Sequence, residues 1–119
     1  MKNNNDPFVY KNIADNLKTQ GKLKEAIINY NYAVKIKNNF DEVYNKLGLI
    51  YYDLGNIEEA ILNYKKAIKY NPNFFIAYNN LGNALQAMGK IDQAVLSYQE
   101  AIKIKPNFAI AYRNLSSVK

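Results

Sequence analysis

The chain contains no cysteine and no histidine. Without cysteine it cannot form disulfides, thiolate metal sites or a cysteine nucleophile. Without histidine it also lacks the commonest general base and the commonest zinc ligand. The other polar residues form no phosphate-binding loop, metal-ligand spacing or nucleophile–base pair. The sequence therefore predicts that the chain is not an enzyme and that it requires no cofactor and no metal.

Long apolar runs are also absent. The segment MKNNNDPF has no apolar run of the secretory type behind it, and residues 47–52 fall far short of the roughly 20 residues that cross a bilayer. We therefore expect a cytoplasmic protein with no membrane partner. The chain has 119 residues, of which 49% are apolar and 22% charged, as is usual for a single globular domain.

The main feature that the sequence does contain is an internal repeat with a period of 34 residues. The repeated columns are Tyr10, Tyr44, Tyr78 and Tyr112; Ile13, Leu47, Leu81 and Leu115; Gly21, Gly55 and Gly89; Ala26, Ala60 and Ala94; Tyr30, Tyr64 and Tyr98; Ala33, Ala67 and Ala101; and Phe40, Phe74 and Phe108. This period divides the chain into a polar leader, 1–6, three units, 7–40, 41–74 and 75–108, and a partial fourth unit or capping helix, 109–119.

Each unit has the pattern of two consecutive amphipathic helices. In unit 41–74, apolar residues recur with helical spacing up to Gly55, which favours a helix end, and then again up to the segment 71–73, Asn-Pro-Asn, which stops the second helix. Asn39 with Glu42 suggests a capping pair at a helix start, and Asp6 before Pro7 suggests another.

Small residues predict that the two helices of each unit approach closely. Gly48 and Gly82 share a column with Ala14, and the alanine columns of the second helices lie opposite. One hairpin cannot bury its apolar face alone, so we expect neighbouring hairpins to stack into a solenoid.

The chain resembles the tetratricopeptide repeat (TPR) family over residues 7–119. The resemblance rests on the 34-residue period and on the order of its repeated residues: an aromatic residue, Leu-Gly, Gly, Ala, Tyr, Ala and Pro. The resemblance implies an all-α, right-handed superhelical solenoid of antiparallel helix hairpins, with three TPR units and one extra helix. The third unit is most similar to the repeats of O-linked N-acetylglucosamine transferases. Departures from the family pattern are Asn38 for proline, Ala14 for glycine and tyrosine for the common tryptophan; none of them threatens the fold.

In TPR proteins the first helices line a concave groove, so the resemblance implies a groove on the arc of each first helix opposite its apolar face. The candidate groove residues are Lys11, Asn12, Asp15, Asn45, Lys46, Leu49, Tyr52, Asn79, Asn80, Asn83, Gln86, Arg113 and Asn114. Asn12, Asn80 and Asn114 share one column, in which Lys46 is the exception. A row of amides can hold an extended peptide backbone, similar to the asparagine ladder of the glycosyltransferase repeats, or it can pack between adjacent first helices. The sequence leaves both interpretations open.

TPR domains that bind the acidic tails of heat-shock chaperones use lysine and asparagine in one unit, asparagine in the next, and lysine and arginine in the third. At these positions the chain has Lys11, Asp15, Lys46, Ile76 and Asn80, and only Lys11 fits. Starting one unit later, at Asn45, again gives a single match, so we predict no chaperone-tail carboxylate clamp.

The formal net charge of +6 raises the question of a nucleic-acid partner. Lys35, Lys69 and Lys103 fall in the last turns of the second helices, and acidic residues fall in the first turns, an arrangement that offsets the helix dipole. Basic and acidic residues nearly balance in the predicted groove. These features disfavour nucleic acid as the partner.

Four apolar residues of the last predicted helix, Ala111, Tyr112, Leu115 and Val118, form a stripe without a hairpin partner. Either the chain is part of a longer protein or it self-associates end to end through this helix. The sequence thus predicts a protein–protein interaction module that binds a peptide or partner protein in the concave groove. The alternatives are the substrate-recruiting repeat region of a larger enzyme such as a glycosyltransferase and, second, nucleic-acid binding.

Overall fold

The computed structural model describes residues 5–118, which form seven α-helices and no strand. The helices are α1 (Pro7–Thr19), α2 (Leu23–Ile36), α3 (Asp41–Asp53), α4 (Ile57–Tyr70), α5 (Phe75–Ala87), α6 (Ile91–Ile104) and α7 (Ala109–Ser116). One helix pair lies within each predicted unit, and α7 follows. The limits of the units remain an interpretation of the period, and most of the predicted leader lies outside the described residues.

The turn within each pair depends on glycine. Gly55 follows α3 with φ +85°, and Gly21 and Gly89 have the same left-handed conformation in the other two pairs. This conformation lets the amide of Asn56 donate to the carbonyl of Tyr51 at 2.8 Å, which closes the helix end. The predicted glycine ends are therefore confirmed, and so is the end of α4 before Asn71 and Pro72.

One of the two predicted helix caps is correct. The carboxylate of Asp6 accepts a hydrogen bond from the amide of Phe8 at 2.9 Å, and Pro7 is the first residue of α1. The predicted pair of Asn39 and Glu42 is wrong, because Phe40 occupies the cap position of α3 and no side chain caps that helix. The Phe40 ring is buried, and burial of an aromatic ring outweighs the roughly 1 kcal/mol of a side-chain cap.

The close approach within a hairpin is made against tyrosine rings. A methyl group on Gly82 would lie 2.6 Å from Cε1 of Tyr98, and a methyl group on Gly48 would overlap the ring of Tyr64 in the same way. Tyr30, Tyr64 and Tyr98 are the largest fully buried side chains. The small residues of the first helices thus make room for the tyrosine column of the second helices.

The pairs stack into an elongated body of 51 × 26 × 20 Å, as expected for a solenoid. The expectation that the apolar stripe of α7 lies uncovered is wrong for three of its four residues. Ala111 is buried, and Leu115 and Val118 are partly buried against the core formed by α4, α5 and α6. Of the four predicted residues only Tyr112, at 48%, stays mainly exposed. No helix within residues 5–118 has the length and apolar character to cross a membrane.

Candidate functional site

The first helices α1, α3, α5 and α7 are joined side by side through polar side chains that the sequence placed in the groove. Lys46 of α3 donates to Asp15 of α1 at 3.0 Å. Asn80 of α5 donates to Asn45 of α3 at 3.1 Å, and Asn114 of α7 donates to Asn79 of α5 at 3.0 Å. We call the surface formed by the candidate groove residues of these four helices the groove face.

At the junction of α1 and α3 the groove face carries a cluster of four charges. Lys11 lies 3.1 Å from Asp15 and 3.3 Å from Glu42, and Lys46 lies 3.0 Å from Asp15 and 3.5 Å from Glu42. The hydroxyl of Tyr30 also donates to Asp15. Two lysines and two carboxylates therefore neutralise one another, which leaves little net charge at this end of the face.

The cluster shifts the pKa values of its members in the direction of ion pairing. Partial burial alone would raise the pKa of Asp15, but hydrogen bonds from Tyr30, Lys46 and Lys11 outweigh it, and the pKa lies below its ordinary value. Burial alone would likewise lower the pKa of Lys11, but Asp15 and Glu42 raise it. Burial, then the bond to Asp15, raise the pKa of Tyr30. Asp15 is thus a stable carboxylate at neutral pH.

At the two following junctions, asparagine pairs take the place of the charge cluster. The predicted open arc is wrong at Asn45 and Asn79, which are only 7% and 5% exposed. Each of them accepts the hydrogen bond of the asparagine 35 residues further along the chain. The physical reason is that adjacent first helices lie close enough for their amides to bond directly. Asn80 and Asn114, which are half-buried, therefore pack between adjacent first helices, one of the two roles that the sequence left open. Peptide binding by these amides stays a prediction.

Two further amides of α5, Asn83 and Gln86, are oriented by a tyrosine. The Tyr98 hydroxyl donates to Oδ1 of Asn83 at 2.6 Å, and Oε1 of Gln86 lies 3.1 Å away. Burial, and to a smaller extent Tyr52, raise the pKa of Tyr98 to about 12, so the hydroxyl keeps its proton. Within residues 5–118 the NH₂ groups of Asn83 and Gln86 have no hydrogen-bond partner. They are available as donors to a ligand.

The other predicted residues occupy the rest of the groove face. Leu49 and Tyr52 are half-buried between the charged end and the amide-rich end, whereas Asn12 and Arg113 are exposed. A shallow pocket of about 340 Å³, lined by Asp15, Lys18, Thr19 and Lys46, lies at the charged end. All the predicted residues lie within the described part of the chain.

The repeat pattern predicted no hydrogen bond for the hydroxyls of the tyrosine column Tyr30, Tyr64 and Tyr98. Tyr30 and Tyr98 each reach a residue 15 positions earlier, Asp15 and Asn83, in the same repeat column. Leu49 takes that column in the second unit and cannot accept such a bond. A polar residue 15 positions before a repeated tyrosine is the sequence pattern that could have predicted these hydroxyl hydrogen bonds.

The family comparison covers most of the chain. The family described as "TPR repeat" matches residues 14–55 and 48–89, and that described as "Tetratricopeptide repeat" matches residues 75–108. No curated protein matches the sequence.

Solved structures share the fold. The first TPR of Spaghetti (RPAP3), bound to the HSP90 peptide SRMEEVD, has a TM-score of 0.89 and 24% identity, and the match covers 92% of this chain and 87% of that one. The Arabidopsis OM64 TPR domain has a TM-score of 0.90 and 17% identity, over 97% and 95% of the two chains.

A third structure, MamA, has a TM-score of 0.88 and 27% identity, over 93% of this chain and 65% of that one. TPR domains are protein-interaction modules, and the chain has their helical-repeat solenoid. Repeat period, helix pairing and family matches all agree, and the chain therefore belongs to the tetratricopeptide repeat family.

Proposed function

We propose that the chain binds an extended peptide segment of a partner protein at the amide-rich end of the groove face. The observation that carries the proposal is the orientation of Asn83 and Gln86, whose carbonyl oxygens face Tyr98 while their NH₂ groups lack partners in the described chain. Next to them, Asn80 and Asn114 use an NH₂ hydrogen between helices and keep their own carbonyl oxygens available.

Unpaired amide donors and acceptors on one surface suit a peptide backbone. Each residue of an extended peptide offers one N–H donor and one C=O acceptor, and Asn83, Gln86, Asn80 and Asn114 supply the complementary groups. These contacts require no particular peptide sequence. The half-buried side chains of Leu49 and Tyr52 lie beside them and would take apolar side chains of the ligand.

The charges of the groove face support a protein ligand over a polyanion. Lys11 and Lys46 are each bound to both Asp15 and Glu42, and a phosphate would have to compete with those carboxylates. Nucleic-acid binding, which depends on displacing counterions with free basic groups, has less support here. We expect no binding to labelled RNA at moderate salt; binding that weakened steeply with rising salt would reverse this order.

The same cluster supports the proposal that the chain has no clamp for a terminal carboxylate. Asp15 occupies a position where the clamp requires a neutral asparagine, and its negative charge, which the neighbouring lysines stabilise, would repel a peptide carboxylate. The Spaghetti structure shares the fold and has an HSP90 peptide bound. The fold alone does not transfer that specificity.

Peptides selected from a random phage-displayed library test the groove. The double variant Asn83→Asp/Gln86→Glu keeps oxygen acceptors for Tyr98 and removes the free NH₂ donors, and Asp15 shows that an aspartate fits this repeat column. We expect about 5- to 150-fold weaker peptide binding, because two hydrogen bonds of about 0.5–1.5 kcal/mol each are lost.

The matched control is Gln93→Glu/Gln99→Glu, which adds the same two charges on the exposed surface of α6. Fluorescence anisotropy should give wild-type affinity for this control. Equal loss of binding in both double variants would contradict the groove assignment.

Three finer points remain proposals. We propose that the chain itself is not catalytic, which a kinetic assay with any candidate substrate would test, and that it acts in the cytoplasm, which microscopy of a tagged chain would test. The alternative of a recruiting region in a larger enzyme such as a glycosyltransferase rests on the resemblance of the third unit that the sequence alone predicts. Self-association through α7 has less support than the sequence suggested, because only Tyr112 of its predicted apolar stripe is exposed.

A further inference from the structure

Each second helix carries an exposed aliphatic residue in the same repeat column. These residues are Ile28 on α2, Leu62 on α4 and Leu96 on α6, and they are 53%, 55% and 65% exposed. They belong to helices that the groove face does not use. The polar residues around the column differ between the three helices. Only around Leu62 are the charges complementary to the same charges on an antiparallel second copy.

The charges around Leu62 change sign from one side of it to the other. Glu58 and Glu59 lie four and three residues before Leu62, and Lys65 and Lys66 lie three and four residues after it. At helical spacing all five residues share one stripe of α4, and all five are exposed. We call these five residues the α4 stripe. The helix dipole accounts for the glutamates in the first turn but not for two lysines in the middle of the helix.

None of the four charges of the α4 stripe forms an ion pair within residues 5–118. In the part of the chain that the structure describes, every ion pair belongs to the Lys11, Asp15, Glu42 and Lys46 cluster. The only aromatic contact of the stripe is Lys66, whose ammonium lies 5.6 Å from the centre of the Tyr44 ring. These charges are therefore available to a partner.

We propose that the α4 stripe is a homodimer interface, in which α4 packs antiparallel against α4 of a second copy. A two-fold axis at the level of Leu62 and perpendicular to both helices places Glu58 opposite Lys66 of the other copy and Glu59 opposite Lys65. Symmetry makes each pair occur twice around a Leu62–Leu62 contact. A parallel arrangement would place like charges together, so the stripe specifies the direction as well as the register.

A groove beside α4 adds apolar surface to this contact. It has a volume of about 430 Å³ and is lined by apolar residues, among them Val34, Leu47 and Leu62, and by polar residues, among them Glu59 and Lys66. It can receive the Leu62 side chain of the second copy, so the contact is not limited to two leucines. The neighbouring second helices do not share the pattern: the same operation on α6 would place Asp92 opposite Glu100, and on α2 it would place Lys24 opposite Tyr32.

Charge reversal tests the interface by sedimentation equilibrium. The wild-type chain should show a reversible monomer–dimer equilibrium with a Kd below about 1 mM, tighter at low salt because the ion pairs are exposed. Lys65→Glu/Lys66→Glu and Glu58→Lys/Glu59→Lys should each weaken self-association at least about tenfold. An equimolar mixture of the two variants should form heterodimers, because the reversed charges are again complementary.

Controls separate this interface from other contacts. Leu96→Glu, in the same column of α6, and Tyr112→Glu, on α7, should leave the dimer unchanged, whereas Leu62→Glu should remove it. A wild-type chain that stays monomeric at about 1 mM, charge-reversed variants that dimerise as well as wild type, or a mixture without heterodimers would each overturn the proposal. Loss of the dimer in Tyr112→Glu alone would assign self-association to α7 instead.

Discussion

The space at Gly82 is set by a tyrosine ring that has little freedom to move. A methyl group there would lie 2.6 Å from Tyr98 Cε1, and the Tyr98 hydroxyl is held by Asn83 and Gln86. We therefore expect Gly82→Ala to lower the free energy of unfolding by about 1–3 kcal/mol in chemical denaturation. Helix propensity alone predicts the opposite sign, a gain of about 1 kcal/mol, so increased stability would contradict the packing.

Asp15 gives the chain a pH-dependent term in its stability. Because its folded-state pKa lies below the ordinary value of 3.8, the carboxylate stabilises the fold above that pH, and this contribution is lost as the pH falls through the folded-state pKa. We expect Asp15→Asn to destabilise the chain at pH 7 and to destabilise it less at an acidic pH below 3.8, because wild-type Asp15 becomes protonated as the pH falls through its lowered folded-state pKa.

Chemical unfolding at both pH values measures the difference. Asp53→Asn, at the exposed end of α3, changes the total charge equally without contacting the cluster and serves as control. An equal effect of Asp15→Asn at the two pH values would show that the carboxylate charge does not stabilise the fold.

At single positions, the sequence correctly predicted the features that depend on local conformation or residue size. Gly55 ends α3 and Asp6 caps α1, as their local sequence patterns predicted. The cap at Asn39 was wrong because burial of Phe40, a contact distant in sequence, decided the position of the helix start. The hydroxyl bonds of Tyr30 and Tyr98 could not be predicted from burial alone, since they depend on the angle between the two helices of a pair.

At the scale of helices, the repeat period predicted the elements but not how adjacent first helices meet. The period gives α1, α3, α5 and α7 equivalent faces, yet their junctions use a four-charge cluster in one place and asparagine pairs in the next two. Whether an asparagine such as Asn45 faces a ligand or a neighbouring helix depends on the distance between the two helices. That distance is a property of packing, so the sequence left the question open.

The groove face also allows a gain-of-function prediction. Wild type should not bind the peptide SRMEEVD, because Asp15 adds a negative charge and Lys11 is already paired. The variant Asp15→Asn/Lys46→Asn/Ile76→Lys/Asn80→Arg supplies the residues that the chaperone-binding pattern requires and should bind the peptide measurably in isothermal titration calorimetry. A peptide lacking the terminal carboxylate is the control. Tight binding by wild type would contradict our account of the charge cluster.

At the scale of the whole molecule, the two proposed functions lie on different sides of the solenoid. The first helices present the groove face with its free amides, and the second helices present the α4 stripe. A peptide on one side and a second copy on the other would not compete for surface, so a dimer would offer two peptide sites. A solenoid permits this because each pair contacts mainly its neighbours and leaves both sides open.

The central claim is that Asn83 and Gln86 donate their NH₂ groups to a peptide. Side-chain amide resonances in ¹⁵N NMR spectra, recorded while a library-selected peptide is titrated, test it most directly. We expect the NH₂ signals of Asn83 and Gln86 to shift with the bound fraction, while those of Gln93 and Gln99 on α6 stay in place. If saturating peptide moved the α6 signals and left those of Asn83 and Gln86 unchanged, this claim would be contradicted.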